Sequence, residues 1–345
     1  MTRNPSRGPA AVICGVGAWL PPQVVSNHDL AARLDTSDQW IRERTGIAAR
    51  RRVGPGVATG DLAVAAGELA LKSSGCGAVD MVVLGTTTPD HPCPATAPEV
   101  ASRLGLTGVG AFDVSAVCSS FLYGLATATG LIAAGIAERV LLIGAETFSS
   151  ILDPDDRTTA AIFGDGAGAV VLRAGAPTEP GAIGPVLLGS DGTQRDLIKV
   201  PAGGSRDRGR AGSDARAALA DHYFRMRGGE TYRHAVERTT EVSRAALDRA
   251  GWSVDSVDRF AAHQANARIV NAVSERLGIA EGPRRLSNIT RIGNTAAASL
   301  PLLLADSAAR GTLRPGDRTL LAAFGGGATW GAATVVWPDV TALIP

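Results

Sequence analysis

A pattern set out in the first half of this chain returns in the second, and it limits the fold more than any other feature of the sequence. VDMVVLGTT begins at Val79 and VDRFAAHQA at Val257, each a Val-Asp pair followed by an apolar run and a polar segment. Val79 precedes Arg139 of ERVLLIGAE by 60 residues, and Val257 precedes Asp317 of GDRTLLAAFGGG by the same 60. The halves then close alike, with FGDGAGAVVL from Phe163 and FGGGATWGAATVVW from Phe324. Short apolar runs alternate with alanine-rich stretches, which predicts an α/β fold with largely buried strands. Two copies of one such unit predict a pseudo-two-fold in which the second helix of each copy meets its counterpart at the centre. The expected halves are residues 1–180 and 181–345. The first central helix is expected to open at Cys118 and the second near Asn294, as equivalent starts facing one another. Small residues on both, Gly124, Ala126 and Ala128 against Ala296, Ala297 and Ala298, suit close packing there.

The bulk properties narrow the role. With 45% hydrophobic and 19% charged residues, the chain can bury a large core. Its 34 basic and 33 acidic side chains leave a net charge of +1, so no global field draws it to nucleic acid or a membrane surface. Lys72 and Lys199 are the only lysines, so the remaining cations are arginines, suited to planar phosphate contacts at local sites. Cys14, Cys76, Cys93 and Cys118 lie far apart with no CxxC pair. That spacing implies neither a zinc site nor a dense disulfide framework and fits a reducing compartment. MTRNPSRGPAAVICGVGAWLPP faintly imitates a signal peptide, but its short, glycine-broken apolar part reads better as a first strand ending at Pro21 and Pro22. No window approaches the ~20 apolar residues of a membrane helix, and a cytoplasmic location is expected.

DVSAVCSSF delivers Cys118 to the start of the apolar run FLYGLATATGLIAAG. A lone cysteine beside such a helix is commonly inert packing. A cysteine at a helix start also meets the positive end of the macrodipole, which lowers a thiol pKa and predicts a reactive sulfur. The repeat brings His263 of AAHQAN and Asn294 of IGNTAAAS to the same rim, so three polar groups converge on one point. His28, His91, His222 and His234 have no such setting and read as surface or packing residues.

With these segments in place, the chain resembles the thiolase superfamily, and within it β-ketoacyl-acyl carrier protein synthase III. The resemblance rests on DVSAVCSSF, HQANARI, GNTAAAS and FGGGATWG, with FGDGAGA and WIRERTGI in support, and spans residues 10 to 337. It implies an internally duplicated, five-layered α-β-α-β-α fold with two mixed sheets around two central helices. It also implies an acyltransferase. Cys118 would take an acyl group from acyl-CoA as a thioester. His263 and Asn294 would then stabilise the enolate formed when malonyl-acyl carrier protein loses carbon dioxide, giving a β-ketoacyl product that begins a fatty acid or polyketide. The backbone amides of Cys118 and Gly326 would bind the tetrahedral oxyanion, and Phe324 would shield the nucleophile from water. No metal or redox cofactor is implied; CoA thioesters and a phosphopantetheine-bearing carrier protein serve as substrates, and a homodimer is expected.

The resemblance assigns the remaining contacts too. Ser37 can cap a short helix that sets Trp40 above Arg44, an indole and a guanidinium fit to hold the adenine of CoA, with Arg157 opposite. Asn266 and Arg268 would meet the pantetheine arm and the carrier protein, while Arg233 and Arg276 match further positions used for that acidic partner. Three features depart from the family pattern. Ser119 and Ser120 replace a common Ala-Gly after the nucleophile. Cys93 stands where many relatives carry a phenylalanine that closes the acyl pocket across the dimer, which predicts room for a starter larger than acetyl. Residues 203–221 form a polar stretch that names no substrate. Among rivals, a thiolase would want a second cysteine in residues 324–331, and a hydroxymethylglutaryl-CoA synthase a glutamate base near the nucleophile; neither stands out. A synthase III relative that moves the acyl group to an alcohol or amine is the serious alternative, whereas a catalytically silent partner subunit would be expected to lose Cys118.

Overall fold

The computed structural model describes residues 8–207 and 220–345, so most of the polar stretch at 203–221 lies outside the described residues. Seven strands precede the midpoint: β1 (Ala10–Trp19), β2 (Gln23–Ser26), β3 (Ala49–Arg52), β4 (Met81–Gly85), β5 (Gly110–Val114), β6 (Arg139–Glu146) and β7 (Gly166–Gly175). Seven follow: β8 (Leu187–Ser190), β9 (Ile198–Lys199), β10 (Arg225–Met226), β11 (Arg259–Ala262), β12 (Arg318–Gly325), β13 (Thr329–Val336) and β14 (Ala342–Leu343).

The first large sheet has the order β14-β1-β7-β6-β4-β5 and the second β11-β12-β13-β8. In each, a parallel pair (β4 with β6, β11 with β12) is followed by an antiparallel partner (β7, β13), so both sheets are mixed as expected. Helix Thr59–Ser74 covers the outer face of the first sheet, and helices Gly228–Ala250 and Ala267–Leu277 cover the second. Helices Ser120–Ala133 and Ser299–Ala309 lie between the sheets, which completes five layers. Their packing is close because glycine faces them. A Cβ on Gly144 would sit 2.4 Å from the carbonyl oxygen of Ala297, and one on Gly168 would sit 2.6 Å from the amide of Leu302. Strand β14 crosses back from the second half to pair with β1.

The duplication is visible in matched hydrogen bonds. The amide of Asp80 donates to the carbonyl of Arg139 at 2.9 Å, and its carboxylate accepts from the Arg139 amide at 2.8 Å. Asp258 and Arg318 repeat both bonds, each at 2.9 Å. The register at the centre differs from the sequence-based expectation. Each central helix is entered by a short 3-10 turn, Val117–Ser119 in one half and Ala296–Ala298 in the other, so the counterpart of Cys118 is Ala297. Asn294 does not start a helix: its amide donates to the carbonyl of Ile162 at 3.0 Å and its carbonyl accepts from the amide of Gly164 at 2.9 Å, a bridge between the halves.

Among the described residues no helix is long and apolar enough to cross a membrane. All four cysteines are free, with Cys93 exposed and Cys118 buried.

Candidate active site

Cys118 follows Val117, a β-branched residue held at φ 50, in the left-handed region that such side chains avoid. The strained turn leaves Cys118 in the wall of an internal cavity, with 8% of its surface exposed. Burial pushes its thiol well above the usual range, and the negative charge of Glu146 adds to the rise. This reverses the lowering expected from the helix start: desolvation at this depth outweighs the field of one turn, and the resting sulfur is a neutral thiol.

His263 stands just past the end of β11, its amide donating to the carbonyl of Ala322 at 2.8 Å. Among the described residues its buried Nδ1 has no hydrogen-bond partner, and burial pushes its pKa down to about 3, so the imidazole is neutral. Asn294 follows Gly293, and its Oδ1 accepts at 2.9 Å from the amide of Ala296, the first residue of the second central turn. Among the described residues its Nδ2 makes no hydrogen bond. That bond engages the carbonyl oxygen and leaves the amide donor.

Cys118, His263, Asn294 and Phe324 line one cavity. Phe163 and Phe224 complete its apolar wall, their rings 5.0 Å apart edge to face. A wider outer cleft, lined by Trp40, Arg44, Tyr232 and Arg268, shares Ile162, Met226, Thr231, Asn266 and Ile269 with the inner cavity. The two form one passage from the surface to the sulfur. At its mouth Ser37 accepts from the amide of Trp40 at 3.1 Å, as its sequence position predicts. The guanidinium of Arg44 lies 4.7 Å from the indole centroid and that of Arg157 lies 5.4 Å away, on residues 117 apart in sequence from Trp40. Arg157 is also paired with Asp35 at 2.8 Å. Asn266 caps helix Ala267–Leu277 by accepting from the amide of Ile269 at 3.0 Å, which puts its side chain at the junction of cleft and cavity.

The glycine loop after β12 approaches the turn of Cys118 closely. A Cβ on Gly325 would lie 2.9 Å from the amides of both Cys118 and Ser119, so only glycine brings this loop, with Gly326 next in line, against that turn. Arg233, Arg268 and Arg276 are exposed on the two outer helices of the second sheet. Cys93 is exposed on the loop after β4 and does not line this chain's cavity, so the pocket of one chain is walled without it.

Glu146 is a buried acid that the sequence reading passed over. It ends β6 with no exposed surface, and its carboxylate accepts from the Thr88 hydroxyl at 2.7 Å, the Thr87 amide at 3.0 Å and the Ala297 amide at 3.4 Å. Burial holds its pKa up near 7 against the hydrogen bonds that pull it down. A glutamate therefore does lie near the nucleophile. The signal was present in IGAE, an acid closing an otherwise apolar strand.

Comparison with known proteins settles the family. The model of 3-oxoacyl-[acyl-carrier-protein] synthase III matches residues 112–192, and that of its C-terminal part matches residues 247–337. A Streptomyces coelicolor protein named β-ketoacyl-[acyl-carrier-protein] synthase III 5 is 57% identical over 97% of this chain and 99% of its own. The chain belongs to the synthase III family. The crystal structure of 3-oxoacyl-(acyl carrier protein) synthase III from Pseudomonas aeruginosa superposes on the synthase III fold described above with a TM-score of 0.89 at 48% identity, covering 96% of this chain and 99% of that one. The priming β-ketosynthase of a polyketide biosynthetic pathway, 31% identical, gives the same TM-score over 98% of this chain and 99% of its own. Both the duplicated thiolase-like architecture and the acyl-transferring class follow from this membership.

Proposed function

We propose that this synthase III loads an acyl group from acyl-CoA onto Cys118 and condenses it with malonyl-acyl carrier protein, initiating a fatty-acid or polyketide chain. The observation that carries the reading is the meeting of Cys118, His263 and Asn294 in one cavity whose entrance is framed by Trp40, Arg44 and Arg157. The CoA adenine stacks at that mouth and the pantetheine arm runs past Asn266 to the sulfur.

Charges are costly in this cavity, and the chemistry follows from that. As Cys118 sulfur attacks the thioester carbonyl, its proton passes through the neutral His263 imidazole to the departing CoA sulfur. The transient oxyanion is bound by the amides of Cys118 and Gly326. Malonyl-acyl carrier protein then enters, and its thioester oxygen accepts hydrogen bonds from His263 and from Nδ2 of Asn294. An imidazole that stays neutral down to about pH 3 is a hydrogen-bond donor here and not a proton source, so the enolate left by carbon dioxide loss keeps its nucleophilic carbon. That carbon attacks the acyl thioester, and Cys118 leaves as the thiolate, which takes a proton from solvent as the product departs. Phe324 excludes water from these steps. Arg233, Arg268 and Arg276 receive the acidic carrier protein, and the protein works as a cytoplasmic homodimer in which Cys93 faces the partner's acyl pocket and admits starters larger than acetyl.

Intact-mass measurement after incubation with a panel of acyl-CoAs tests the reading. The expected result is one acyl adduct, absent in Cys118→Ala, strongest with a chain longer or more branched than acetyl. Absence of an adduct from every acyl-CoA would overturn the donor assignment, and transfer of the acyl group to an alcohol or amine with no condensation product would overturn the condensation step.

A further inference from the structure

We propose that Ser119 is a positioning residue, whose hydroxyl, with that of Thr329, holds the turn carrying Cys118 in register with the glycine loop so that two backbone amides reach one oxygen. The inference deepens the acyl-transfer reading and rests on it. Ser119 has no exposed surface. Its Oγ lies 2.6 Å from Oγ1 of Thr329 and 2.8 Å from the carbonyl oxygen of Ala116. Thr329 Oγ1 also lies 3.0 Å from that carbonyl and 3.1 Å from the carbonyl of Gly326. Among the described residues no backbone-to-backbone hydrogen bond joins residues 116–120 to residues 324–329, so these two hydroxyls are the polar link between them.

Two hydroxyls bring two protons to two carbonyl oxygens and to each other. In one arrangement Thr329 donates to Ser119 and Ser119 to Ala116; in the other Ser119 donates to Thr329 and Thr329 to Gly326. Each is a continuous path out of the nucleophile's turn, and the second ends on the residue whose amide is proposed to face the oxyanion. Without Ser119 the direct Thr329 to Ala116 contact survives, and the turn loses half of its tie. The spacing matters because a misplacement of about 1 Å in an aligned site costs on the order of a hundredfold in rate. A serine that merely bonds the carbonyl three residues back would look the same at Ala116 but would have no reason to meet Thr329.

The test compares two reactions of the same sulfur in the full chain. Acylation by acyl-CoA builds an oxyanion, whereas alkylation by iodoacetamide does not. Ser119→Ala is expected to slow acylation about tenfold while alkylation stays within about twofold. Thr329→Ser, which keeps the hydroxyl, should behave as wild type; Thr329→Val should be at least as slow as Ser119→Ala, and the double variant no slower than Thr329→Val. Equal changes in both reactions, or unchanged acylation in Ser119→Ala, would overturn the proposal. If Ser119→Ala does not fold, the Thr329→Ser and Thr329→Val pair decides in the same way. A wild-type chain alkylated by iodoacetamide but acylated by no acyl-CoA would overturn the acyl-transfer reading and this proposal with it.

Discussion

The turn Val117–Ser119 and its counterpart Ala296–Ala298 enter the central helices with the same unusual backbone, φ 50 at Val117 and φ 44 at Ala296. What stands opposite them differs. The strand end facing the second turn carries Glu146, whose carboxylate receives the amide of Ala297. The matching strand end in the other half carries Gly325, where even a Cβ would press on the amides of Cys118 and Ser119. Each of these pairs, Cys118 with Ala297 and Glu146 with Gly325, is separated by the same 179 residues that separate Arg139 from Arg318. Duplication thus built two helix-entry turns with inward-facing amides. One is filled by the protein's own carboxylate, and the other is kept clear by the absence of a side chain. The clear one holds the cysteine.

The contrast can be broken most directly by moving the thiol. In a Cys118→Ala background, Ala297→Cys should form no acyl adduct by intact mass, because Glu146 already occupies the amides around it. An adduct at residue 297 would show that the two turns are equivalent after all. Gly325→Ala should come next in effect: its new methyl meets backbone atoms, the Ala116 carbonyl at 2.7 Å among them, which cannot rotate away. Acylation followed by stopped mass measurement should slow by about a hundredfold or more, the scale of a lost oxyanion donor.

Glu146 offers a third test through pH. Its carboxyl holds a proton up to about pH 7 in the folded chain and releases it from about 4.5 when unfolded. The unfolded state therefore binds fewer protons between those values, and this group's contribution to stability falls as pH rises from 4.5 to 7, by on the order of 3 kcal/mol. His263 has the opposite slope, since its folded pKa of about 3 lies below 6.5 and stability is lost as pH falls between them. Glu146→Gln removes the first slope and keeps the second. Denaturant titrations should show the variant gaining roughly 2–3 kcal/mol on wild type between pH 5 and pH 8. A constant difference across that range would mean that Glu146 is already ionised. The smallest effect belongs to the periphery, where the halves remain alike. Asp80→Ala and Asp258→Ala should lower Tm by similar amounts, about 2 °C each, and a marked inequality would show that the matched bonds do unequal work.

Much of this was readable in the sequence, for reasons that differ residue by residue. The Val-Asp pairs announced the repeat because each aspartate ties one strand start to the next, and the spacing survived in both copies. Trp40, Arg44 and Ser37 were legible because a cap and an i, i+4 pair are local. The register of the central turns was not. Left-handed backbone falls on Val117 and Ala296, where no glycine marks it, and Asn294 reads as a helix start because its backbone bridge to Ile162 and Gly164 joins residues more than a hundred positions apart. The raised pKa of Cys118 was missed for a related reason: a helix start can be read from sequence, but the depth at which it is buried cannot. Glu146 was hidden by the same limit, since its partners Thr87, Thr88 and Ala297 come from two other places in the chain.

Strand β14 carries a consequence for how the molecule is made. It pairs in parallel with β1, Val16 opposite Ala342, and the Ser73 hydroxyl fastens the carbonyl of Thr341 at 2.6 Å beside it. The first sheet is therefore bordered by a strand that follows every other strand of both sheets in the sequence. Until that strand is made, β1 has one open flank, an invitation to pair with a neighbouring nascent copy. A translation product that stops after Pro338 would keep every residue of the cavity and still lack the strip that closes its oldest edge.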